Sequence, residues 1–201
     1  MTALDEGLAQ LSAGIENLST RATAALFAAC ACGLRPGFLE WAALRRTGTE
    51  ALLEQALRSA LAFARGGVTD IDTRDLLRLL EEATPPGDAP DLVSSTVAQD
   101  CWICADTAIR VIVEPGFRAG PVIEYALEPI LHATTERLFG VSQVGSGNAE
   151  ETQLAAVLRD DQVSEAFAFC RWAIDILLRT PEPNDEVTHA LCSRAAALLP
   201  K

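Results

Sequence analysis

Hydrophobic residues recur along this chain at intervals of three and four, the spacing that gathers them on one face of an α-helix. The stretch that organises the pattern covers residues 91–113, DLVSSTVAQDCWICADTAIRVIV. Val93, Val97, Cys101, Cys104, Ala108 and Val111 share one face of it. Trp102, Ile103, Ile109, Ile112 and Val113 fill most of the other sides. Gln99, Asp100, Asp106 and Arg110 mark a polar seam, which Glu114 extends. A helix that is apolar nearly all round is enclosed by other elements. The segment is therefore expected to be the central helix of an all-helical domain.

The same spacing predicts the remaining elements. A first helix covers residues 4–16, with Leu4, Leu8, Leu11 and Ile15 on one face. Ser19 is a good N-cap for the next helix, which runs through residues 26–32. Gly33 could end it, or Pro36 could merely kink it, because Phe38, Trp41, Ala42 and Leu44 keep helical spacing. A kinked or broken pair ending near Arg46 is the favoured reading. After the turn and cap Thr47-Gly48-Thr49, a third helix reaches Arg65, and Gly66-Gly67 stops it. Asp72 caps a short helix over residues 73–83. Residues 84–90, TPPGDAP, form a loop inside a single domain of residues 1–201, since the flanking halves are short and alike in composition. Pro121 opens a helix that runs to Phe139 and bends at Pro129. A loop follows over residues 140–147, then a long helix over 150–179 that could break at Asp160-Asp161, and a last helix over 185–199. The expected architecture is a compact all-α bundle of about seven or eight helices.

Composition agrees with that class. Hydrophobic residues make up 49% of the 201, enough to bury a sizeable core, but aromatics only 5%. Such a mix suits helices that approach closely through small side chains. The net charge of −12 speaks against nucleic acid and against an anionic membrane surface, because the densest basic spot is only Arg45-Arg46. A basic partner protein is compatible with it. Asp5, Glu6 and Glu16 stand where a secretion signal would need a basic start and an apolar run. No charge-free apolar run reaches the length of about 18 residues that a membrane span requires. The expectation is a cytoplasmic protein with free thiols.

Six cysteines supply the chemical leads: Cys30, Cys32, Cys101, Cys104, Cys170 and Cys192. Cys101 and Cys104 form a CxxC, but in the middle of a helix and with no strand before it. The helix dipole that activates such a thiol acts only near the first turn. Small buried thiols packing like alanine account for the pair better than thiol redox chemistry does. Metal binding by Cys30, Cys32, Cys101 and Cys104 would need two thiols, at Cys30 and Cys32, that point about 200° apart on one helix. Glu124, Glu128, His132 and Glu136 recur every four residues, whereas a di-iron bundle wants Glu-x-x-His pairs; a solvated face explains them. No nucleophile elbow, phosphate loop or dinucleotide fingerprint is present. Neither a cofactor nor a catalytic residue is assigned, and an enzyme is not expected.

Two stretches carry a family likeness. Residues 28–41, AACACGLRPGFLEW, and residues 165–171, EAFAFCR, resemble motifs of the YjaG-like bacterial family, a domain of unknown function. Gly33, Phe38 and Trp41 stand where the family has Arg, Tyr and Phe, and Ala166 and Cys170 where it has Glu and Gln. The resemblance spans residues 19–180 and implies an all-helical fold and a bacterial cytosolic setting, without implying an activity. Three functional readings follow. The first is a non-enzymatic acidic protein that binds another protein, with an immunity- or antitoxin-like role as one form. The second is a metal-binding or thiol-redox protein using Cys101 and Cys104. The third is a homodimer joined through a partly exposed apolar helix such as residues 4–15. The place to look for a site is a cleft gathering Gln99, Asp100, Asp106, Arg110 and Glu114.

Overall fold

The computed structural model describes residues 2–68, 71–85, 92–140 and 148–198, with the side chains of 92–95 and 148–151 left out. Nine α-helices and no strand occur among the described residues: α1 (Ala3–Ile15), α2 (Thr20–Arg45), α3 (Glu50–Ala64), α4 (Thr73–Glu82), α5 (Leu92–Val113), α6 (Ile123–Phe139), α7 (Asn148–Leu158), α8 (Asp161–Arg179) and α9 (Asp185–Ala196). A 3-10 turn, Gly120–Val122, precedes α6. Most of the expected loops at 84–90 and 140–147 lie outside the described residues.

Cap chemistry sets several boundaries. Ser19 Oγ accepts the Ala22 amide at 3.1 Å at the start of α2, and Asp72 Oδ1 accepts the Arg74 amide at 2.9 Å at the start of α4. Asp160 Oδ1 accepts the Gln162 amide at 3.0 Å. That cap divides residues 148–179 into α7 and α8, one reason the helices exceed the expected seven or eight. Thr49, expected to cap α3, makes no side-chain cap bond.

The largest departure concerns the centre. It is shared: α2 lies antiparallel to α5, with Cys101 against Ala31 and Val97 against Gly37. Every residue from Ala22 to Ala31 is buried. Pro36 does not break α2 into a pair. It removes one backbone bond, to the Cys32 carbonyl, while Leu34, Phe38, Trp41 and Ala42 hold both sides of it in the core. By length and composition α2 could cross a membrane, but 72% of its apolar window is buried inside this fold.

The other helices cover this pair. α3 and α4 pack on one side of α5 and α6 on another, α9 lies on α2, and α8 joins α6, α9 and α1. Trp102, 1% exposed, stacks on Phe38 with centroids 5.6 Å apart. Its Nε1–H donates to Leu80 O at 2.9 Å, satisfying a carbonyl in the last turn of α4. The apolar face of α1 is also spent internally. Leu11 and Ile15 are buried, and Leu4 and Leu8 pack, partly buried, against the core.

Candidate functional site

The polar seam of α5 divides in two. Asp106, Arg110 and Glu114 follow one another at helical spacing and meet on the side toward α4. Arg110 Nε donates to Asp106 Oδ2 at 3.1 Å, Nη1 to Glu114 Oε1 at 2.8 Å, and Nη2 to Glu81 Oε1 at 2.7 Å. The guanidinium also lies 5.7 Å from the Phe117 ring. One arginine thus carries three carboxylates, including Glu81, which the sequence pattern left unremarked because it comes from another helix. Burial pushes the Asp106 carboxyl above its ordinary range in spite of the Arg110 bond. The cluster ties α4 to α5 and leaves its cation fully engaged.

Asp100 is not part of it. Six residues before Asp106, it sits about 120° away round the helix, on the face toward α6. It is 2% exposed, and its Oδ2 has no hydrogen-bond partner among the described residues. Burial, and secondarily the charge of Glu128 on α6, push its carboxyl up to about 8. The fold therefore favours a neutral acid at this position. Gln99, half-buried, lies two turns before Asp106 on nearly the same side of α5. The five seam residues do not line a common cleft.

Cys101 and Cys104 are both fully buried. Cys101 Sγ donates to Ala31 O at 3.4 Å, across the α2–α5 contact. Burial raises both thiols above the ordinary range, which favours the neutral form that neither attacks nor ligates readily. Among the described residues no three of the His, Cys, Asp and Glu side chains converge as a metal site would require. The α6 row stands outward, with Glu124, His132 and Glu136 exposed and His132 Nε2 3.4 Å from Glu128.

Among the described residues a cleft of about 130 Å³ lies between α1 and α8, lined by Gly7, Gln10, Leu11, Arg171, Ile174, Asp175 and Leu178, and two further clefts lie nearer the groups above. One, of about 260 Å³, is lined by Glu16, Thr20, Thr23, Glu114, Gly116 and Phe117 among others. Its Glu16 Oε1 accepts the Gly120 amide at 3.1 Å and Oε2 lies 3.5 Å from Arg118. The other, of about 20 Å³, is apolar and lies between α2, α6, α8 and α9, beside Cys30 and Cys170. Neither unites a nucleophile, a base and an oxyanion donor.

The backbone has a known counterpart. It superposes on a DUF416 family protein from Shewanella baltica OS155 with a TM-score of 0.68, covering 92% of this chain and 93% of that one. The two share an all-helical fold. Their identity is 15%, so the likeness is one of fold and carries no site across. No family model matches the sequence, and no curated protein does so either. The support thus reaches a domain of unknown function, not the YjaG-like family in particular.

Proposed function

We propose that this protein acts by binding a basic partner protein rather than by catalysis, in the bacterial cytoplasm, with an immunity- or antitoxin-like role as its specific form. The observation that carries the reading is where the charge of −12 resides. Arg110 is saturated by three carboxylates, and Arg21, Arg35, Arg65, Arg137 and Arg179 each pair with an acidic residue. On α6 the exposed Glu124 and Glu136, with half-buried Glu128 between them, pair with no arginine among the described residues. An acidic face of that kind steers and orients a basic surface. The free thiols of all six cysteines fit a reducing compartment.

The test is affinity capture with the full chain and with a variant carrying Glu124→Arg and Glu136→Arg, both on an exposed face where the fold should tolerate them. The reading expects a stoichiometric basic protein bound by the wild type and lost by the variant, with unchanged helicity in both. No stoichiometric partner, or one retained by the variant, would contradict it.

A further inference from the structure

The cleft of about 260 Å³ forms where the last turns of α1 and α5 meet the first turn of α2. Its anchored polar groups are hydrogen-bond acceptors. Glu16 Oε1 is held by the Gly120 amide at 3.1 Å. Gly120 admits no side chain there, since a Cβ would stand 2.5 Å from Ser12 Oγ and 2.8 Å from Glu16 Oε1. Glu114 Oε1 is held by Arg110 Nη1 at 2.8 Å, and Arg110 is itself fixed by Asp106 and Glu81. Each carboxylate is thus anchored through one oxygen and keeps the other. Glu114 Oε2 accepts no hydrogen bond among the described residues. Glu16 Oε2 has only Arg118 at 3.5 Å, whose side chain is 76% exposed. The Val111 carbonyl lacks its helical donor, because the residue four places on is Pro115, which has no N–H. Thr23 donates its hydroxyl proton to the Ser19 carbonyl at 3.0 Å, so toward the cleft it can only accept. We propose that this cleft binds a primary ammonium group on an aliphatic stem, as carried by a lysine side chain or an alkyl diamine.

The lining selects that chemistry over its rivals. An ammonium has three N–H donors and no acceptor, and Glu16, Glu114 and the Val111 carbonyl supply three acceptors. Two helices end here, and the carbonyl end of a helix favours a cation. α1 has no basic residue in its last turn to meet that need. The opposing amide end of α2 is capped by Ser19 Oγ. A guanidinium suits the cleft less well. Its planar fork wants both oxygens of one carboxylate, and in each glutamate one oxygen is already taken. A divalent metal suits it less well too, since no three His, Cys, Asp or Glu side chains converge among the described residues. Ile15, Leu18 and Phe117 line the same cleft and give the methylenes of a stem an apolar wall. The volume lies just below the range of about 300–1,000 Å³ that suits drug-sized ligands, so the occupant is a small amine or a single side chain. The site shares no residue with the acidic row on α6.

The experiment titrates the isotope-labelled full chain with diaminopentane and with N-acetyl-lysine amide, following amide shifts by NMR. N-acetyl-arginine amide and calcium chloride serve as controls. The expected result is a saturable shift with at least one ammonium probe below about 10 mM, centred on the amides of Glu16, Val111, Gly116 and Gly120. Glu16→Gln and Glu114→Gln should each weaken binding by roughly tenfold or more, because each removes charge while a glutamine oxygen still accepts the anchoring bond. Saturation by the lysine amide alone identifies a protein lysine as the source and saturation by the diamine alone a free amine; either upholds the site, as does saturation by both. No saturable shift with either ammonium probe, shifts centred elsewhere, or equal binding of the arginine amide or of calcium would overturn the proposal. The wild-type titration decides the matter even if a glutamine variant fails to fold.

Discussion

Asp100 holds a carboxyl that the fold has removed from water without supplying a cation. The cost depends on pH in a defined direction. With an unfolded value of about 4 and a folded value pushed up to about 8, the folded chain keeps, between those limits, a proton that the unfolded chain has lost. Stability from this group therefore falls as pH rises through that window, by at most about 1.4 kcal/mol per unit. Asp100→Asn removes the titration. Urea denaturation at pH 5, 6.5 and 8 should show the variant gaining on the wild type as pH rises, and parallel curves would contradict the account. Arg110 is the opposite case, a cation with three carboxylate partners. Arg110→Met should cost about 1–2 kcal/mol in the same measurement at pH 7, chiefly because half-buried Asp106 is stranded while the more exposed Glu81 and Glu114 turn to water. A loss near zero would mean that the cluster is surface decoration.

The helices meet through small residues, and their spacing is therefore sensitive to one methyl group. Gly33 faces the backbone of Ala195, which cannot rotate away as a side-chain tip could. Gly33→Ala should move α9 off α2 and destabilise the fold by about 1–3 kcal/mol. Hydrogen exchange should show the loss first in α9, and an unchanged exchange pattern would refute the close approach. The caps Ser19 and Asp72 were readable in advance because a cap is a local bond between residues two or three apart. The split at Asp160 was visible as an alternative for the same reason. Pro36 was harder to place. Its local effect opposes helix, and only burial of the residues on both sides keeps α2 continuous.

Over the whole molecule, charge is the feature most open to test. If the acidic surface recruits a basic partner, the affinity should fall by roughly tenfold or more between 50 and 300 mM salt, since the screening length shortens from about 14 Å to about 6 Å over that range. Isothermal titration at the two salt concentrations measures it, and an affinity indifferent to salt would point to an apolar interface instead. Cys30 and Cys32 diverge on α2 as their spacing requires, Cys30 into the core and Cys32 to the contact with α9. That divergence tells against a shared metal site.

Periodicity and caps determined, from the chain alone, an all-helical class, most helix positions, and the burial of the Cys101–Cys104 pair. These depend on residues within one or two turns of each other, where geometry is nearly constant. Tertiary packing decided that α2 shares the centre with α5, that the polar seam separates into an Arg110 cluster and an isolated Asp100, and that Gly33 meets the backbone of the last helix. Each of those outcomes turns on which face of one helix meets which face of another. Side chains distant in sequence settle that contact together, through close packing, and no local pattern records it.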